Sequence, residues 1–164
     1  MKKIYLVLFT FLPFLVGHII NISVAKLSVM GSIIYYILPL LTTVFWFYLG
    51  RQYARSTWKT IPALVIGNAT GVASLLIYLW QRFLKTEETI NLTLTGISQM
   101  FSDAAPTYLL AKVAILFETK PNYVGTRSMV ALQVLSVGYM IVVFLFGFIC
   151  GKKTAKLDFV NREK

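Results

Sequence analysis

His18 and Asn21 stand three positions apart in an otherwise apolar run, and helical geometry puts residues at that spacing on one face. An imidazole beside an amide can hydrogen-bond a polar solute, and the imidazole can exchange a proton near neutral pH. Tyr35, Asn68, Ser74, Tyr78 and Gln133 likewise interrupt long apolar runs. These seven are the candidate binding residues. Metal and catalytic chemistry have less to work with. There is one histidine and one cysteine, Cys150, so a conventional zinc site would need Glu87, Glu88, Asp103 or Glu118 to fold back toward His18. His18 with Asp103 would make an acid/base couple, but no spacing selects that pair. The sequence has no Gly-x-Ser-x-Gly elbow, His-Glu-x-x-His pair or phosphate-binding glycine loop. The reading is no catalytic residue, no metal, no cofactor and no enzyme.

The elements that must hold these residues follow from composition. Of 164 residues, 57% are hydrophobic and 13% charged, the charged share being about half that of a soluble domain. A helix needs roughly 20 apolar residues to cross a bilayer, and four runs reach that length, at about 4–24, 29–49, 60–81 and 128–150. No linker or repeat divides the chain. Residues 1–164 therefore read as one integral membrane domain. The expected fold is all-α: a polytopic four-helix transmembrane bundle with a short extra helix in an outer connection at about 82–127.

Charge orients this arrangement. Lys2 and Lys3 precede the first run, Arg51, Arg55 and Lys59 fill the short second connection, and Lys152, Lys153, Lys156, Arg162 and Lys164 follow the last. Placing those ten on one side satisfies the positive-inside rule, with both termini cytoplasmic in a multi-pass protein of the cell membrane. The net charge of +10 thus reads as membrane orientation, and nucleic acid is not an expected partner. Ser23–Ala25 also resembles a signal-peptide cleavage site, which would remove His18 and Asn21, although the apolar run is long for a signal.

Within the outer connection, a fifth span at 97–117 is interrupted by Asp103 and Lys112. Its apolar part, 104–117, suits an interfacial, re-entrant or packed helix, with Ser102 or Asp103 as cap and Pro106 in the first turn. The stretch NLTLTGIS from Asn91 alternates polar and apolar residues and reads as a short extended piece.

In the third run, Ala63, Gly67, Thr70, Gly71, Ser74, Tyr78 and Gln81 share one narrow helical face. Gly67, Thr70 and Gly71 are the candidate helix-packing residues: the small-xxx-small spacing admits another backbone, and Thr70 can bond across helices. Asn68 lies about 100° to one side and needs its own partner. Pro13 and Pro39 are expected to kink the first two helices. Measured from the span ends, His18, Tyr35 and Gln133 lie at similar depth, roughly 9 Å below the outer boundary, with Ser74 and Tyr78 nearby. Two functions fit. One is a non-enzymatic subunit or interaction partner of another membrane protein, or of a second copy of this chain. The alternative is a component that binds or transports a small molecule through an outward-facing polar pocket. In both, the lipid bilayer is the solvent.

Overall fold

A computed structural model describes residues 3–26, 29–56, 58–86, 88–118 and 123–160, with side chains as far as residue 155. Lys2, Glu87, Arg162, Lys164 and the side chain of Lys156 lie outside that description. The chain forms α1 (Lys3–Phe9), α2 (Leu12–Ala25), α3 (Val29–Ala54), α4 (Thr60–Phe83), α5 (Leu92–Asp103), α6 (Thr107–Ala114) with a 3-10 turn at Ile115–Phe117, and α7 (Thr126–Val160). Among the described residues there is no strand. Lys3–Ala25, Val29–Ala54, Thr60–Phe83 and Thr126–Ala155 are long and apolar enough to cross a membrane.

The two prolines behave differently. Pro13 has no N–H to return to Phe9, and the first stretch breaks at Thr10–Phe11 into α1 and α2. Short-range bonds tighten the break: the amides of Thr10, Phe11 and Phe14 each donate three residues back, at 3.1 Å. Pro39, by contrast, lies within an α3 that runs unbroken from Val29 to Ala54. The hydroxyls of Thr42 and Thr43 donate to the carbonyls of Leu38 and Pro39, each at 2.9 Å. These bonds occupy carbonyls in the turn around the proline.

The closest helix pair is α3 with α7, and glycine makes it possible. A side chain at Gly50 would meet the carbonyl of Phe144, one at Gly147 the carbonyl of Phe47, and one at Gly151 the carbonyl of Arg51. Gly147 and Gly151 are the small-xxx-small pair whose backbone meets another backbone. Around this seam Trp46, Leu49 and Tyr53 of α3 pack with Val137, Met140, Phe144 and Phe148 of α7. For helices this apolar, interdigitation rather than water exclusion supplies the cohesion.

The remaining segment is a hairpin: α5 and α6 meet at a bend of 106° around Ala104–Pro106. Its two ends lie together. The amide of Asn91, at the start of α5, donates to Gln81 near the end of α4 at 2.9 Å. Glu118, just after the 3-10 turn, accepts the amides of Gly125 and Ser128 at the start of α7, both at 2.9 Å. Arg82 closes the circuit by donating to Thr126 at 2.9 Å. The hairpin therefore leaves and returns at one end of the helices, while Phe101, Ser102, Ala104 and Ala105 at its tip are buried and Asp103 is half-buried.

Replacing Gly147 by leucine should force α3 and α7 apart, since the obstacle is backbone, with a cost above about 1–3 kcal/mol. Gly138 has nothing within 4 Å of where a Cβ would stand, so Gly138→Ala should gain roughly 0.5–1 kcal/mol of helix propensity. Thermal unfolding in detergent should therefore fall for Gly147→Leu and hold or rise for Gly138→Ala.

Candidate functional site

The small and polar face of α4 is a track, and what it receives is mostly the hairpin. Gly67 admits the ring of Phe144 and Gly71, midway along α4, admits the ring of Phe101. Between them Thr70 donates to the carbonyl of Thr10 at 3.0 Å. That carbonyl sits at the α1–α2 break, where the regular helical donor has moved to Phe11. Ser74 donates to the carbonyl of Ser98, Tyr78 lies within hydrogen-bond reach of Gln99, and Gln81 accepts the amide of Asn91, the N-cap of α5. Each turn of the C-terminal half of α4 thus meets a polar atom of another element.

Other helices hold the tip. A side chain at Gly17 of α2 would run into the carbonyl of Met100. One turn on, the amide of Asn21 donates to the carboxylate of Asp103 at 2.9 Å. From α7, Gln133 accepts the hydroxyl of Ser102. From α3, the Tyr35 hydroxyl accepts Thr107 at 3.5 Å, while the Tyr35, Tyr36 and Tyr108 rings pack edge to face at 5.0 to 5.9 Å. Ala104, fully buried, fills the space between α2 and α3 against Val16 and Ile20.

Of the seven candidate binding residues, Asn21, Tyr35, Ser74, Tyr78 and Gln133 therefore reach one structure, the hairpin. His18 and Asn68 do not join it. His18 is exposed on α2, one turn from Asn21. Asn68 is buried, donates to the carbonyl of Leu64 in its own helix at 2.9 Å, and leaves its Oδ1 without a partner. Two open grooves of about 400 and 360 Å³ have apolar walls, and Ser74 is the one of the seven that lines either of them.

Several expectations change. The NLTLTGIS stretch is helix, not extended chain: Asn91 caps it, its side chain accepting the amide of Leu94 at 2.9 Å. Its buried positions, Ser98, Phe101 and Ser102, follow helical spacing, but two are serines, so hydropathy did not reveal the period. The connection holds two helices instead of one. Neither Ser102 nor Asp103 caps the second: both belong to α5, and Pro106 stands at the N-cap of α6 without a side-chain bond. The space at Gly67 and Gly71 is taken by rings, whereas backbone approaches backbone at Gly50, Gly147 and Gly151. The Gly147/Gly151 spacing was present in the sequence as a signal for that seam. Asp103, omitted from the binding set, is brought to Asn21 by the fold.

Comparison with protein-family models, curated protein sequences and solved structures returns no match.

Two outcomes follow. Gly71→Leu should expel the Phe101 ring and lift the hairpin, so a cysteine at Ser102, introduced after Cys150→Ser, should react with a small maleimide faster in that variant than in its absence. Unchanged protection would mean the ring does not seat the hairpin. Glu118 is held below its ordinary carboxylate range, chiefly by the Ser128 amide, with further help from Gly125 and Arg127. Because its folded pKa is depressed, its contribution is present above the unfolded value and is lost as pH falls through the folded one. Glu118→Gln should lower stability at pH 7 and converge with the parent protein under acid conditions.

Proposed function

We propose that this chain is a multi-pass protein of the cell membrane, with both termini in the cytoplasm, acting as a non-enzymatic subunit of a larger membrane assembly. The orientation is supported by the clustering of basic residues. Lys3 lies over the Trp58 ring at 5.7 Å and Lys152 donates to Thr60 at 2.6 Å, so the N-terminus, the second connection and the end of α7 meet at one end of the helices. Arg51, Arg55, Lys59 and Lys153 belong to the same end by sequence. The hairpin ends lie at the other. A reporter fused after Lys59 should accordingly report cytoplasm.

The observation that carries the subunit reading is the outer surface of α2. There His18 and Asn21 are exposed beside Asp103, among exposed Leu15, Ile19 and Ile22. At hydrocarbon depth such groups are costly against lipid and are stabilised by a partner helix that offers hydrogen-bond donors to the carboxylate. The solute reading draws less support, because the polar groups of Ser74, Gln81 and Gln133 are engaged with the hairpin.

The test is a photo-crosslinking residue at Ile22, on the His18–Asn21 side, and another at Val65, on the exposed face of α4, in native membranes. The subunit reading expects one adduct of defined mass from Ile22 and none from Val65. Asn21→Leu, which removes the bond to Asp103 and one polar group from this exposed face, should weaken that adduct several-fold. Lipid adducts alone from Ile22, with or without Asn21, would contradict it.

A further inference from the structure

The larger groove lies where α4 ends and α7 begins. Its volume is about 400 Å³, and Phe83, Phe117, Val130, Ala131, Val134 and Leu135 give it apolar walls. Its rim is different. Thr126 and Arg127 complete the lining, and Arg82, donating to Thr126 at 2.9 Å, brings a second guanidinium to the same edge. Both arginines are exposed. The acidic neighbour is Glu118, which interacts electrostatically with Arg127 while its Oε1 accepts the Gly125 and Ser128 amides. Among the described residues, two cations therefore accompany one anion at the mouth of an apolar trough that follows α7 along successive turns at 127, 130–131 and 134–135.

A small polar solute would gain nothing from those walls, and a purely hydrophobic ligand would leave the rim unused. An amphiphile with a chain and an anionic head matches both. Guanidinium groups recognise phosphate through paired, charge-assisted hydrogen bonds. Arg82 is already oriented by Thr126, which lowers the ordering cost of that recognition.

We propose that this groove is a binding site for an anionic phospholipid, one acyl chain lying along Val130, Ala131 and Val134 and the phosphodiester resting on Arg127 and Arg82. The site does not depend on the subunit reading, since it lies on α4 and α7 and not on the His18–Asn21 face. Its occupant is a structural lipid that bridges the end of α4 to the start of α7, the two elements between which the hairpin emerges.

The test uses the full-length chain in a neutral detergent, titrated separately with dioleoyl phosphatidylglycerol and dioleoyl phosphatidylcholine, with bound lipid counted by native mass spectrometry. The proposal expects phosphatidylglycerol to bind roughly tenfold tighter, Arg127→Gln to abolish that preference, and Val134→Trp, which fills the trough from an exposed position, to weaken both lipids about tenfold. Millimolar inorganic phosphate should not displace the lipid, because the chain contributes most of the binding. Equal binding of the two lipids would overturn the site, as would a preference that survives Arg127→Gln or an affinity that survives Val134→Trp. Displacement of the lipid by phosphate would point to a free-anion site and would overturn it equally. Both substitutions are at exposed residues, and unfolding curves without lipid confirm that the variants are folded before the titrations are read.

Discussion

A peptide group enclosed by apolar helices must find a hydrogen-bond partner, because no water is there to supply one, and leaving it unpaired costs several kcal/mol. The hairpin of α5 and α6 raises that problem acutely: its tip is buried, its chain turns through 106° there, and a turn frees backbone groups that a continuous helix would satisfy. Within the turn the demand is met locally: the amides of Ala105 and Thr107 donate to the carbonyls of Ser102 and Ala105, and those of Leu109 and Leu110 to Pro106. The surrounding helices hold the rest of the hairpin: Ser74 donates to the Ser98 carbonyl, Gln81 accepts the amide of Asn91 at the N-cap of α5, and Gln133 accepts the Ser102 hydroxyl. The polar residues that hold the hairpin are thus largely structural. Their spacing along α4 sets where the hairpin lies, and the glycines between them make room for the rings of Phe101 and Phe144.

The same constraint separates residues that are used from residues that are left over. Thr70 serves the carbonyl freed at the Pro13 break. Asn68, one position from the track, has half of its amide satisfied within its own helix and half unsatisfied. His18 and Asn21 lie exposed on the outside of the packed helices, with half-buried Asp103 bonded to Asn21, and there the demand for partners is turned outward. That is why the interaction reading attaches to α2 and the lipid reading to the arginine-rimmed groove, and why neither uses the interior.

Much of this arrangement is legible in the sequence. The four apolar runs at 4–24, 29–49, 60–81 and 128–150 correspond to the pair α1–α2 at 3–25 and to helices at 29–54, 60–83 and 126–160, because twenty-odd consecutive apolar residues leave a chain few alternatives. The ends differ where charge permits a helix to continue past its apolar stretch, as at Arg51 and Lys152. The stripe on α4 was visible as a stripe, but its occupant was not, since small residues admit a ring and a backbone equally well. The hairpin was hidden for a related reason. Its inward face carries Ser98 and Ser102, residues that hydropathy counts as exposed and that the fold buries by giving each a partner. The meeting of Asn21 with Asp103 depends on a contact 82 positions apart in sequence and has no local signature.

The account stands on the claim that the segment between α4 and α7 enters and leaves on one side. The direct measurement is sidedness. Cysteines placed singly at Lys85 and Val124, with Cys150 replaced by serine, are labelled in sealed, right-side-out vesicles with an impermeant maleimide, alongside a third at Ala105. Labelling of both Lys85 and Val124 from the same face, with Ala105 protected, is the result a hairpin requires. Labelling of Lys85 and Val124 from opposite faces would make α5 and α6 a fifth, broken span and would contradict the arrangement on which the rest depends.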